Sequence, residues 1–181
     1  MRLLNAVIAA AFIATSAQAG IFTGLFGNLY RNPECSFEVW FPQSPQITHE
    51  TVSLHGGATV PSTRYLVLRD YYVFTVTDTD YSSLPAIPDD AVEDFIAMLK
   101  PQGVVIASDE SAQLDTISGR RLTYVLPKGG EKVVVRFFAE RGHLFRIAEV
   151  MPKFAHSSQF ADASWFEEKF KLIDGCNQKD R

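Results

Sequence analysis

Residues 132–151, KVVVRFFAERGHLFRIAEVM, are the stretch from which the fold can be read. Arg141-Gly142 is a two-residue turn signal, with glycine where a positive φ is wanted, and it pairs Glu140 with His143. That register sorts the side chains of the two strands. Val134, Phe138, Phe145 and Ile147 fall on one face, and Val133, Val135, Phe137, Leu144, Ala148 and Val150 on the other. Both faces are apolar, whereas an antiparallel pair with one wet side would alternate. The hairpin is therefore predicted to be central and covered on both sides.

Candidate covers lie on either side in sequence. Pro88-Asp89-Asp90 opens a helix, Glu93 stands three residues after Asp90 as in a capping box, and Val92, Phe95, Ile96 and Leu99 mark one face. Pro101 and Gly103 end it. A second amphipathic helix is expected over Ser157–Lys171, with Phe160, Ala163, Phe166 and Phe170 on its apolar side. Strands are predicted at Phe37–Phe41, Ile47–His55, Arg64–Leu68, Tyr71–Thr77, Val104–Ala107 and Ser111–Leu126, the last bent or bulged at Gly119. Lys128-Gly129-Gly130-Glu131 marks another hairpin turn. The expected class is α+β: a central antiparallel sheet flanked by helices, an α/β/α sandwich.

The first nineteen residues stand apart from this domain. Arg2 is followed by an apolar run from Leu3 to Ala14, and Ala17-Gln18-Ala19 supplies small residues for cleavage. The run is shorter than the ~20 residues a membrane span needs. The segment 1–19 is predicted to be a secretory signal peptide, so the chain is expected to be exported, periplasmic or secreted. Residues 20–34 form an apolar N-terminal segment, 35–176 the single globular domain, and 177–181 a polar tail. Gly20–Tyr30 carries no charge, and Phe22, Leu25, Phe26 and Leu29 are candidate membrane-contact residues. Packing of that stretch on its own domain is the alternative.

The 181-residue chain has a formal charge of −4, and −5 without Arg2. An acidic balance disfavours nucleic acid as the main partner. Cys35 and Cys176 bracket the domain, and in an oxidising compartment such a pair is expected to form a disulfide.

The order Phe37-x-Val39-x-Phe41-Pro42, then Tyr72-x-Phe74-x-Val76-x-Asp78, a single mid-chain helix, a long meander and a Trp165–Leu172 ending resembles the PsbP-like domains, including exported bacterial ones. Those domains share an α/β/α sandwich with the photosystem II extrinsic protein PsbP and the Ran-binding Mog proteins. The resemblance spans Ser36–Leu172 and is carried by apolar positions. It implies a non-enzymatic domain that binds or stabilises a partner.

Signatures of chemistry are sparse. There is no G-x-S-x-G element and no phosphate-binding loop, so no catalytic residue is assigned and no cofactor or metal is expected. His49 and His55 would lie ~20 Å apart on an ideal strand, too far to share an ion. His143 and His156 are expected to face solvent or to cap. Asp78, Asp80, Asp89 and Asp90 form an acidic run, of which the last two are explained by capping. Asp78 and Asp80, together with Arg120, Arg121, Lys132 and Arg136, are the candidate partner or ligand surface. An enzyme site near Asp78 and Asp80 is the remaining alternative.

Overall fold

A computed structural model describes residues 28–34, 36–54, 57–69, 72–127, 129–152, 166 and 168–173. The strands are β1 (Asn28–Arg31), β2 (Phe37–Phe41), β3 (Gln46–Ser53), β4 (Thr59–Arg69), β5 (Tyr72–Asp80), β6 (Val105–Leu114), β7 (Ile117–Val125), β8 (Lys132–Glu140), β9 (His143–Met151) and β10 (Lys171–Leu172). Between β5 and β6 lie helix α1 (Ala91–Leu99) and a 3₁₀ turn at Lys100–Gln102. Seven strands form one antiparallel sheet in the order β3-β4-β5-β9-β8-β7-β6, and β1-β2-β10 form a second, smaller one.

The central hairpin stands as expected. Glu140 pairs with His143, and Arg141 and Gly142 adopt φ of 52° and 81°. β9 lies against β5 and β8 against β7, so the hairpin is interior to the large sheet. One apolar cluster gathers Val134, Phe138, Phe145 and Ile147 with Tyr65, Phe74 and Val76; the other gathers Val133, Val135, Phe137, Leu122 and Tyr124. The two-face division read from residues 132–151 is thus the division of the core.

What covers each face differs in part from expectation. α1 covers the second cluster through Val92, Phe95, Ile96 and Leu99. The first cluster is covered by the small sheet, whose Phe37, Val39 and Phe41 are fully buried. The sheet is thus flanked on this side by strands, although a helical covering alone was expected. Phe166 and Glu168 are helical, and Phe166 and Phe170 enter the same core, but most of the helix expected at Ser157–Lys171 lies outside the described residues. Phe37 is the hub of the layer contact, packing against Tyr65, Phe145 and Phe170 rings at 5.0, 6.1 and 5.7 Å.

Three local expectations change. The stretch Ser111–Leu126 is two strands, not one: Asp115, with φ of 51°, begins a tight Asp115-Thr116 turn between β6 and β7. Gly119 is not bulged. It pairs regularly with Ala112 and Phe138, and a Cβ there would strike the Phe137 carbonyl and the Phe138 ring, so the glycine serves close approach. The register shift lies instead between Ile106 and Ser108. β4 also starts earlier than expected and includes Pro61, which is tolerated because pairing with β5 begins only at Ser62.

At the start of α1 the capping-box expectation fails. Asp90 makes no side-chain cap bond, and Glu93 instead meets Arg120. The acidic first turn still complements the helix dipole.

Candidate functional site

Strand alternation places Asp78 and Asp80 on the inner face of β5, near its end. The register sets Asp80 opposite His143 and Asp78 opposite Phe145 on β9. The tight Arg141-Gly142 turn brings His143 to this end, and the backbone N–H of Tyr81 donates to the Gly142 carbonyl at 2.7 Å, fixing the turn to the end of β5. His143 Nδ1 then lies 2.7 Å from Asp78 Oδ1, while its Nε2 is 3.9 Å from Asp80 Oδ1. The expected solvent-facing histidine is instead half-buried, stacked 5.8 Å from the Phe145 ring.

The other side of Asp78 is held by the β1–β2 connection. Asn32, itself buried, accepts from the backbone N–H groups of Ser36 and Phe37 at 2.7 and 3.1 Å. Its side-chain amide donates to Ser36 Oγ at 3.0 Å, and Ser36 Oγ donates to Asp78 Oδ2 at 3.4 Å. Burial raises the pKa of Asp78; the hydrogen bond and charge of His143 pull it back only in part. Asp80 is exposed enough to behave oppositely, its carboxyl held low by hydrogen bonds from Ser82. Two carboxylates of one short motif are thus driven apart by their surroundings.

His143 and Ser36 line a cleft of about 520 Å³ between the two sheets. Leu114, Ile117, Phe145 and Leu172 provide an apolar lining, and Glu34, Asp115, Glu140 and Arg141 its charged part. The serine hydroxyl is bonded to the acid and not to the imidazole. This order differs from a nucleophile relay, in which the base must face the hydroxyl.

The basic candidates do not join this site. Arg120 points to the outer face, pairing with Asp109 at 2.7 Å and with Glu93 of α1. Arg121 and Arg136 are cross-strand neighbours on the opposite, inner face, and Lys132 is exposed where β8 begins. Adjacency in sequence becomes separation across a sheet because successive strand residues alternate sides. Asp89 and Asp90 stay beside α1, away from Asp78. His49 bonds Thr63 at 3.1 Å; His55 and His156 lie outside the described residues. Among the described residues no group of three His, Cys, Asp or Glu side chains could hold a metal ion.

Of the candidate membrane contacts, Leu29 is 60% exposed while its neighbour Tyr30 packs on the core. Phe22, Leu25 and Phe26 lie outside the described residues, as do the signal segment, Cys35 and Cys176. Among the described residues no helix is long and apolar enough to cross a membrane.

The chain superposes on the solution structure of cyanobacterial PsbP from Synechocystis sp. PCC 6803 with a TM-score of 0.54, over 87% of this chain and 98% of that one, at 14% identity. The fold is PsbP-like. A Pseudomonas aeruginosa protein of unknown function, PA94, is matched over 79% of this chain and 90% of that one at 16% identity, with a TM-score of 0.39. No family model and no curated protein matches the sequence. In this PsbP-like domain the Asp78–His143 pair sits where the small sheet, β5 and the β8–β9 turn converge. Sequence reading singled out Asp78 but not His143, because only the β5–β9 register brings them together.

Proposed function

We propose that this chain is an exported, non-catalytic accessory domain of the periplasm or cell envelope that binds a protein partner. The observation that carries this reading is the PsbP-like architecture over most of the chain. Fold alone does not dictate activity, so the site chemistry matters as well. Ser36 is bonded to Asp78 rather than to His143, an arrangement suited to tying layers together and not to activating a hydroxyl.

Export and the Cys35–Cys176 disulfide belong to the same proposal. Pairing of β10 with β2 sets Leu172 opposite Phe37, and the Ile173 N–H donates to the Ser36 carbonyl at 3.0 Å. The chain flanking one cysteine therefore runs beside the chain flanking the other, which supports the bridge.

The enzyme alternative is favoured by one observation: a half-buried histidine with an acid partner at the mouth of a cleft. A panel of hydrolase and transferase substrates, assayed with the native chain and with His143→Ala, separates the two. The accessory reading expects no turnover that depends on His143. Robust turnover abolished by His143→Ala would establish the enzyme.

A further inference from the structure

Three chain reversals meet at one end of the molecule: the β1–β2 connection, the Asp115-Thr116 turn and the Arg141-Gly142 turn. Strand pairing explains why a space is left between them. The β7–β8 ladder has its last pair at Gly119–Phe138, although β7 begins at Ile117 and β8 runs on to Glu140. The β6–β7 hairpin stays paired down to Leu114–Ile117 and the β8–β9 hairpin to Glu140–His143, so the two part at their tips. Leu172 and Ile173, at the end of the small sheet, wall the remaining side of the cleft beside His143.

This cleft combines apolar surface with an excess of negative charge. Leu114, Ile117 and Leu172 back onto the core but are only partly buried. Glu34 and Asp115 are exposed, and among the described residues neither is held in an ion pair. A third carboxylate, Glu140, lies 3.4 Å from Nε of Arg141, the one guanidinium among the described lining residues. The charge of Glu34 reaches Asp78, where it helps to push that carboxyl's pKa up. Two carboxylates thus lack a counter-charge beside an apolar wall. A bare metal ion is a poor fit, since among the described residues no three ligand groups converge. A cation on an aliphatic stem satisfies both features, its methylenes on apolar surface and its head at the wet rim. An apolar centre with a charged rim is also the anatomy of protein–protein contacts. We propose, resting on the partner-binding reading above, that this cleft receives a basic segment of the protein partner. Its aliphatic side chains lie over Leu114, Ile117 and Leu172, and its Lys or Arg side chains meet Glu34 and Asp115.

The test is an NMR titration of the full ¹⁵N-labelled chain with acetyl-Leu-Lys-Leu-Lys-Leu-Lys amide. Saturable shifts are expected at the Thr116 and His143 amides, which belong to two walls of the cleft. Glu34→Gln/Asp115→Asn should weaken the peptide about tenfold, and asparagine tolerates the positive φ of Asp115. Asp89→Asn/Asp90→Asn removes equal charge beside α1 and should leave the affinity unchanged. Arg141→Asn suits the two-residue hairpin turn before Gly142 and removes the rim cation. It should tighten the peptide about threefold, a gain that misfolding cannot imitate. Serine in place of the peptide's leucines should weaken binding about tenfold, and glutamate in place of its lysines should abolish saturable shifts. The inference is overturned by no saturable shift, by equal weakening in Asp89→Asn/Asp90→Asn, or by unchanged or weaker affinity in Arg141→Asn. It is equally overturned if the serine or glutamate peptide binds as tightly as the first. An envelope partner held equally by wild type and Glu34→Gln/Asp115→Asn contradicts this inference and leaves the accessory reading standing. Peptide binding at the cleft of a chain that holds no envelope partner overturns the accessory reading and supports the chemistry of the cleft.

Discussion

His143 Nδ1 meets Asp78 Oδ1 at 2.7 Å, and through Ser36 the same carboxylate reaches the small sheet. One polar contact thus links β9, β5 and the β1–β2 connection. Removing the imidazole leaves a buried carboxylate short of a partner. His143→Ala is expected to cost about 1–3 kcal/mol at pH 7. The Asp78→Asn/His143→Ala double variant should be less destabilised than the sum of the singles, by at least about 0.5 kcal/mol. Urea denaturation of the four proteins measures the cycle, and additivity would deny the coupling.

The same burial sets a pH dependence. The folded-state pKa of Asp78 is raised, so the folded chain holds that proton more tightly than the unfolded chain. Its contribution to stability is complete below the unfolded value of about 3.9 and is lost as pH rises through the raised folded value. Asp78→Asn cannot ionise. Its stability relative to wild type should therefore improve between pH 3 and pH 7, as read by thermal melts across that range. A difference that is flat or worsens with pH contradicts the assignment.

Layer packing makes a sharper contrast between two residues of the N-terminal strands. Phe37 is fully buried among aromatic rings, and Phe37→Ala is expected to cost about 3–5 kcal/mol. Leu29, on the strand beside it, is 60% exposed, so Leu29→Ala should stay within about 0.5 kcal/mol. Chemical denaturation of both variants checks the layer assignment.

Gly119 is held to glycine by its neighbours and not by its backbone angles. Gly119→Ala drives a methyl into the Phe137 carbonyl and Phe138 ring, and a loss of about 1–3 kcal/mol is expected. Trimming the ring in Gly119→Ala/Phe138→Leu should recover part of that loss. Failure to recover any would place the cost elsewhere.

These cases show which features sequence could carry. The 132–151 hairpin is legible because its turn fixes a register and both of its faces are continuous in apolar character. The Asp115-Thr116 turn is not, since Ser111–Leu126 has no glycine at the reversal and Asp115 itself supplies the positive φ. Asp78 is recognisable as a chemical group, but its partner lies 65 residues away and is chosen by strand pairing. Arg120, Arg121 and Arg136 look like one basic cluster until alternation sends Arg120 to one face and the others to its opposite.

The proposed Cys35–Cys176 bridge would close a loop of more than 100 residues, for which chain entropy gives roughly 4–5 kcal/mol. Non-reducing peptide mass spectrometry of chain taken from the envelope should recover the two cysteines linked. Reductant should then lower the melting temperature, whereas free thiols in native material would remove the bridge from the account.

Quantitative co-purification from the native envelope under mild cross-linking tests most directly the proposal that the chain is an exported partner-binding domain. Recovery in the envelope or periplasmic fraction with a defined protein at fixed stoichiometry is expected. Recovery of the chain alone, or in the cytosolic fraction, would contradict it.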